Sequence, residues 1–124
     1  MKNILVVDDQ EHIANLAELI LTSSGYSCTK ANSGKRALDL LYDKNNNFDL
    51  VLMDLAMPEV SGIDVLKKLK QEGKLDRNKV VFFSASSLTQ PEKDDLKKLG
   101  ALDAMNKPFT KAELLGFVEK HTKG

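Results

Sequence analysis

Three short apolar runs, Ile4-Leu5-Val6-Val7, Leu50-Val51-Leu52-Met53 and Val80-Val81-Phe82-Phe83, punctuate the chain, and each stops on a side chain bearing oxygen: Asp8, Asp54 and Ser84. Apolar runs this short and unbroken predict strands buried on both faces. Between them the apolar residues switch to helical spacing. Ile13, Leu16, Ala17, Ile20 and Leu21 share one face of a helix closed by Gly25, and Ala37, Leu38, Leu41 and Tyr42 one face of a second that frays into Asn45-Asn46-Asn47. Ile63, Leu66 and Leu69 form the inner face of a third, with Lys67, Lys68 and Lys70 toward water and Gly73 at its end.

The remaining segments carry weaker signals. Ser27 to Ala31 is a polar strand of the kind found at a sheet edge, followed by the turn Asn32-Ser33-Gly34. Pro91 opens a fourth helix whose only clear anchors are Leu96 and Leu99 before Gly100, so its expected stability is low. Ala101 to Asn106 is ambiguous by period, and its position makes it the last strand, leading into Lys107-Pro108-Phe109. Thr110 with Glu113 forms a capping box for a final helix that turns Leu114, Leu115 and Val118 inward. Strands and helices therefore alternate, five of each, which predicts an α/β fold with a parallel sheet covered on both faces. No repeat or linker divides the chain, and it ends almost where its last helical pattern does, so residues 1–124 are expected to form a single stand-alone domain.

Composition narrows the function classes. Lys plus Arg and Asp plus Glu each total 18, so no net field draws the chain to nucleic acid or an anionic membrane. Cys28 is the only cysteine, which excludes an internal disulfide and a thiolate metal cage. The apolar run before Asp8 is too short for a signal peptide and no run spans a bilayer, so a cytoplasmic location without membrane insertion is expected.

In an open parallel sheet, ligands collect beyond the carboxyl ends of the strands. Those ends carry Asp8-Asp9, Asp54, Ser84 and Lys107. Three carboxylates in one cleft repel one another unless a cation intervenes, and a set without His or Cys suits Mg²⁺, or Mn²⁺, rather than zinc. A carboxylate is a competent nucleophile toward phosphorus, so Asp54 is the expected acceptor of a phosphoryl group. The metal would neutralise one phosphoryl oxygen, Lys107 another, and Ser84 with a backbone N–H the third. Each residue alone has a plainer reading: Asp9 as a helix cap, Asp54 as a turn residue, Ser84 as a loop hydroxyl, Lys107 as a solvated lysine. Their convergence on one rim favours the chemistry. His12, a lone histidine without a second ligand, is expected to be a surface residue, and His121, in a terminal turn, to be solvated.

The ordered motifs Ile4-Leu5-Val6-Val7-Asp8-Asp9, Asp54-Leu55-Ala56-Met57-Pro58 with Gly62, Ser84-Ala85 and Lys107-Pro108-Phe109 resemble the receiver domain of two-component response regulators over essentially the whole chain. The resemblance implies a flavodoxin-like fold with strand order 2-1-3-4-5. It also implies that Asp54 is the phosphoacceptor, that Asp9, Asp54 and the backbone carbonyl of Ala56 bind Mg²⁺ directly, and that Asp8 acts through water. Ser84 and Lys107 would contact the phosphoryl group, and the Lys107–Pro108 peptide would be cis. The implied donor is the phosphohistidine of a histidine kinase or phosphotransfer protein, and the implied output is altered affinity for a downstream target protein, with no turnover of an external metabolite. One position departs from the family: Ala104 stands where most receivers place a Tyr or Phe that swings on activation. The expected route is then through Ser86 to Gln90 and the helix that follows, with Ala56 and Ser86 governing water access to the cleft. A phosphorylation-independent interaction module is the main rival. A phosphatase with an aspartyl nucleophile is disfavoured because Ala56 occupies the place of its general acid.

Overall fold

The apolar runs form β1 (Asn3–Val7), β3 (Leu50–Asp54) and β4 (Val80–Ser84) in a computed structural model that describes residues 1–74, 78–85 and 88–122. Every residue of β3 and β4 is buried, as a parallel strand covered on both sides requires. β2 (Ser27–Ala31) and β5 (Asp103–Asn106) complete a parallel sheet in the order β2-β1-β3-β4-β5. The polar β2 is an edge strand, with Thr29 and Lys30 exposed.

Helices α1 (Glu11–Ser23), α2 (Gly34–Tyr42), α3 (Gly62–Gln71), α4 (Gln90–Leu99) and α5 (Lys111–Thr122) alternate with the strands. Because neighbouring strand residues point to opposite faces, the sheet feeds two cores. Leu5, Val51, Met53 and Phe82 pack with Ala37 of α2, Leu66 of α3 and Leu96 of α4. On the other face, Ile4, Leu52 and Phe83 pack with Leu21 of α1 and Leu114 of α5. The chain leaves β1 for one edge and returns across it to β3, so the strand order reverses between β1 and β3, where such a sheet opens a crevice. Among the described residues no helix is long and apolar enough to cross a membrane.

Local details correct or extend what the sequence implies. Leu16 is 43% exposed, because the buried stripe of α1 runs through Ala14, Ala17, Ile20 and Leu21. Its neighbour Ala17 faces the sheet, and one residue along a helix is a rotation of about 100°. Asp9 does not cap α1; Gln10 occupies the cap position without a side-chain cap bond. His121 is not a solvated surface residue: its Nε2 lies 3.1 Å from Asp103 Oδ2 and its ring meets Phe117 edge-on. Burial alone would raise the Asp103 carboxyl, but the Ala104 N–H, His121 and Lys120 outweigh it and hold it below the usual range. The sparse core of α4 is offset at both ends, by a reciprocal Thr89–Glu92 capping box and by Gly100 in the left-handed region. Of the expected signal route, Ser86 and Ser87 lie outside the described residues.

Two glycines should respond oppositely to a methyl group. A Cβ at Gly62 would collide with the carbonyl oxygen of Asp54 and come within 2.8 Å of the Phe82 ring, whereas at Gly116 nothing lies within 4 Å. Gly62→Ala is expected to cost about 1–3 kcal/mol of unfolding free energy in urea. Gly116→Ala, in a helix interior with open space around it, should gain about 0.5–1 kcal/mol. A neutral Gly62→Ala would show that the segment after β3 is not packed against the strand as described.

Candidate functional site

The strand ends place the site residues, and the backbone ties those ends together. The amide of Asp8 donates to Ala31 O, that of Leu55 to Phe83 O, and that of Lys107 to Ser84 O at 2.7 Å. Gly62 lets the start of α3 lie against the backbone of Asp54, and the Ser61–Asp64 capping box starts α3 there. The Lys107–Pro108 peptide is cis, as the resemblance implies.

Asp8 and Asp54 are nearly removed from water, at 1% and 5% exposure, while Asp9 is exposed beside them. One oxygen from each of the three carboxylates lies within 4.8 Å of the others. The Lys107 ammonium reaches into this group, 2.9 Å from Asp8 Oδ2 and 3.4 Å from Asp54 Oδ1. A third contact, at 3.4 Å, runs from the ammonium to Gln10 Oε1. Asp9, Asp54, Ala56, Ser84 and Lys107 line an open cleft of about 380 Å³. Thus Asp8, Asp9, Asp54 and Lys107 come into direct proximity, with Ser84 and Ala56 on the same cleft. His12 is exposed and is not among the clustered acids.

One ammonium does not balance three carboxylates. Burial pushes the Asp54 carboxyl up to about 6, the nearby charge of Asp8 adds to the rise, Lys107 opposes it, and a hydrogen bond with Asp9 raises it further. The donor set is all carboxylate oxygen, closely spaced and underneutralised, which fits a small hard divalent cation. Gln10 was missed by sequence reasoning. Its only signal is negative: glutamine is a poor residue for a helix cap, and it stands at one.

A doubly wound α/β sheet in this order, with acids, a hydroxyl and a lysine at its carboxyl rim, is the flavodoxin-like class of domain. The chain belongs to the response regulator receiver domain family, whose sequence model matches residues 4–119. The response regulator SaeR of Staphylococcus aureus is 37% identical over 117 residues, covering 93% of this chain and 48% of SaeR. The chain therefore spans about half the length of the curated relatives it matches. The receiver domain of a Francisella response regulator superposes with a TM-score of 0.88 at 31% identity, covering 98% of this chain and 97% of that one. The response regulator TrrA of Thermotoga maritima, solved in complex with Mg²⁺ and BeF, gives a TM-score of 0.80 at 32% identity over 98% and 99% of the two chains.

The Asp54 titration has a direct consequence for stability. Its folded pKa lies above that of an unfolded aspartate, so folding favours its protonated form, and stability falls as pH rises from about 4 through about 6. Without divalent cation at pH 7, Asp54→Asn should therefore stabilise the protein by about 1–2 kcal/mol, less than the full shift because the carboxylate borders cleft water. At pH 4 the gain should vanish. Equal stability of the two proteins at pH 7 in denaturant melts would contradict the burial and crowding of charge described above.

Proposed function

We propose that the chain is a phosphorylation switch in which Asp54 accepts a phosphoryl group from the phosphohistidine of a histidine kinase or phosphotransfer protein. The observation that carries this reading is the Asp54 carboxylate lying in the cleft with Asp8, Asp9 and the Lys107 ammonium within reach. An Asp54 oxygen attacks phosphorus in line, the P–N bond to the donor imidazole breaks, and the imidazole leaves with its electron pair and takes a proton from solvent. Lys107 moves from the Asp54 carboxylate to a phosphoryl oxygen, and the Ser84 hydroxyl with a neighbouring backbone N–H meets another. Mg²⁺, for which Mn²⁺ is a substitute, would be held by Asp9, Asp54 and the Ala56 carbonyl, with Asp8 acting through water, and when bound supplies countercharge to the transferring group. The TrrA complex with Mg²⁺ and BeF, on a related chain, supports this assignment.

The product is an acyl phosphate on the protein itself, so no external metabolite is turned over. Ala56 offers no carboxyl for the general acid that a phosphatase of this type needs. The output is a changed affinity for a target protein in the cytoplasm, with neither nucleic acid nor membrane as the direct partner. Ala104 is buried on β5 beside Phe82 and has no ring to reorient, so the signal leaves through the segment after Ser84 and α4. That same residue is the one observation favouring the second reading, an interaction module that keeps the fold and is never phosphorylated.

Incubation with acetyl phosphate and Mg²⁺ followed by peptide mass spectrometry separates the two. The expected result is one phosphoryl adduct on the peptide carrying Asp54, lost in Asp54→Ala and on chelation of the metal. An unmodified wild-type protein that still binds Mg²⁺ and beryllofluoride no better than Asp54→Ala would favour the module.

A further inference from the structure

The Lys107 ammonium has two carboxylates to choose from, and one of them, Asp54, has to stay available for attack. A third acceptor stands beside it. Gln10 donates its backbone N–H to Asp8 Oδ1 at 2.9 Å, Asp8 Oδ2 accepts from Lys107 Nζ at 2.9 Å, and Gln10 Oε1 lies 3.4 Å from the same nitrogen. These contacts close a ring through Gln10, Asp8 and Lys107. An ammonium has no lone pair, so the amide oxygen of Gln10 is the atom that must face it.

The helix pays for this arrangement. Gln10 is the N-cap of α1, yet its side chain makes no cap bond, whereas Ser33, Ser61 and Thr89 cap the helices that follow them. A Ser, Thr, Asn or Asp at that place would satisfy a free helix N–H. The side chain at this cap instead lines the cleft and turns toward Lys107.

We infer that Gln10 is a positioning residue for phosphoryl transfer: it draws the Lys107 ammonium toward Asp8 and away from Asp54, leaving the nucleophile less firmly paired and the ammonium ready for the incoming phosphoryl oxygen. The inference rests on the phosphoacceptor reading of Asp54. Without the amide oxygen, Lys107 settles between Asp8 and Asp54 alone, and the tighter pairing with Asp54 has to be broken before attack.

Two substitutions separate positioning from structure. Gln10→Asn keeps the amide but loses a methylene of reach and gains a capping side chain; Gln10→Met keeps the length and loses the oxygen. With the full chain, Gln10→Asn is expected to raise Tm by about 3–5 °C. Both variants should slow phosphorylation by acetyl phosphate about 3- to 10-fold, the worth of one hydrogen bond. Both should also shift the NMR signal of the Lys107 ammonium in protein without donor or metal. Wild-type rates with an unmoved Lys107 signal in both variants would overturn the role of Gln10. The lysine signal is read without phosphorylation, so an unmoved signal overturns the role of Gln10 whether or not Asp54 accepts a phosphoryl group. A wild-type chain left unmodified by acetyl phosphate overturns the phosphoacceptor reading instead.

Discussion

Asp8 and Asp54 face each other at the carboxyl end of the sheet with too little positive charge between them. A lone carboxylate out of water is costly, and two are tolerated only with a cation in contact. Lys107 supplies that cation from the far end of the chain, at 2.9 Å from one acid and 3.4 Å from the other. It is one charge against two buried carboxylates and the exposed Asp9. Burial and this remaining imbalance keep Asp54 hard to ionise, and the imbalance is also what makes a small divalent cation fit the site.

The rest of the fold holds that imbalance in place. The strand order brings the ends of β1 and β3 together at the point of reversal, and β4 and β5 follow on the same rim. The two-sided burial of β1, β3 and β4 fixes those ends against two cores, so the acids cannot simply separate to relieve their repulsion. Close approach is built in by absence of side chains. Gly62 lies against the Asp54 carbonyl, and a Cβ at Gly34, the first residue of α2, would stand 2.5 Å from the Val60 carbonyl oxygen. Glu59, in the same segment as Val60, sits at φ 65, a left-handed conformation uncommon for a side chain other than glycine.

Much of this is legible in the sequence. The three apolar runs state their own burial, and their terminal Asp8, Asp54 and Ser84 name the rim, because a parallel sheet puts all its carboxyl ends on one side. The polar character of Ser27 to Ala31 marked an edge strand. What stayed hidden depends on partners distant in sequence or on rotation about a helix axis. Leu16 fits an apolar stripe in the sequence, but Ala14 and Ala17 are the residues that α1 lays on the sheet. His121 looked like a tail residue because nothing near it in sequence announces Asp103, 18 positions away. The capping boxes at Ser61 and Thr89 obey the same rule as the one at Thr110, with Asp64 taking the place of the usual Glu or Gln at the first. Gln10 was invisible because its side chain matters through Lys107, 97 residues on.

Asp54 is, at the centre of all this, an aspartate whose carboxyl is pushed up by burial and by the charge of Asp8, against the pull of Lys107. That state is tested most directly by following the Asp54 side-chain carboxyl carbon by NMR through a pH titration, with and without saturating Mg²⁺. The expected result is a midpoint near the value of about 6 in metal-free protein and a clear downward displacement when Mg²⁺ is present. A midpoint near 4 that ignores the metal would contradict it.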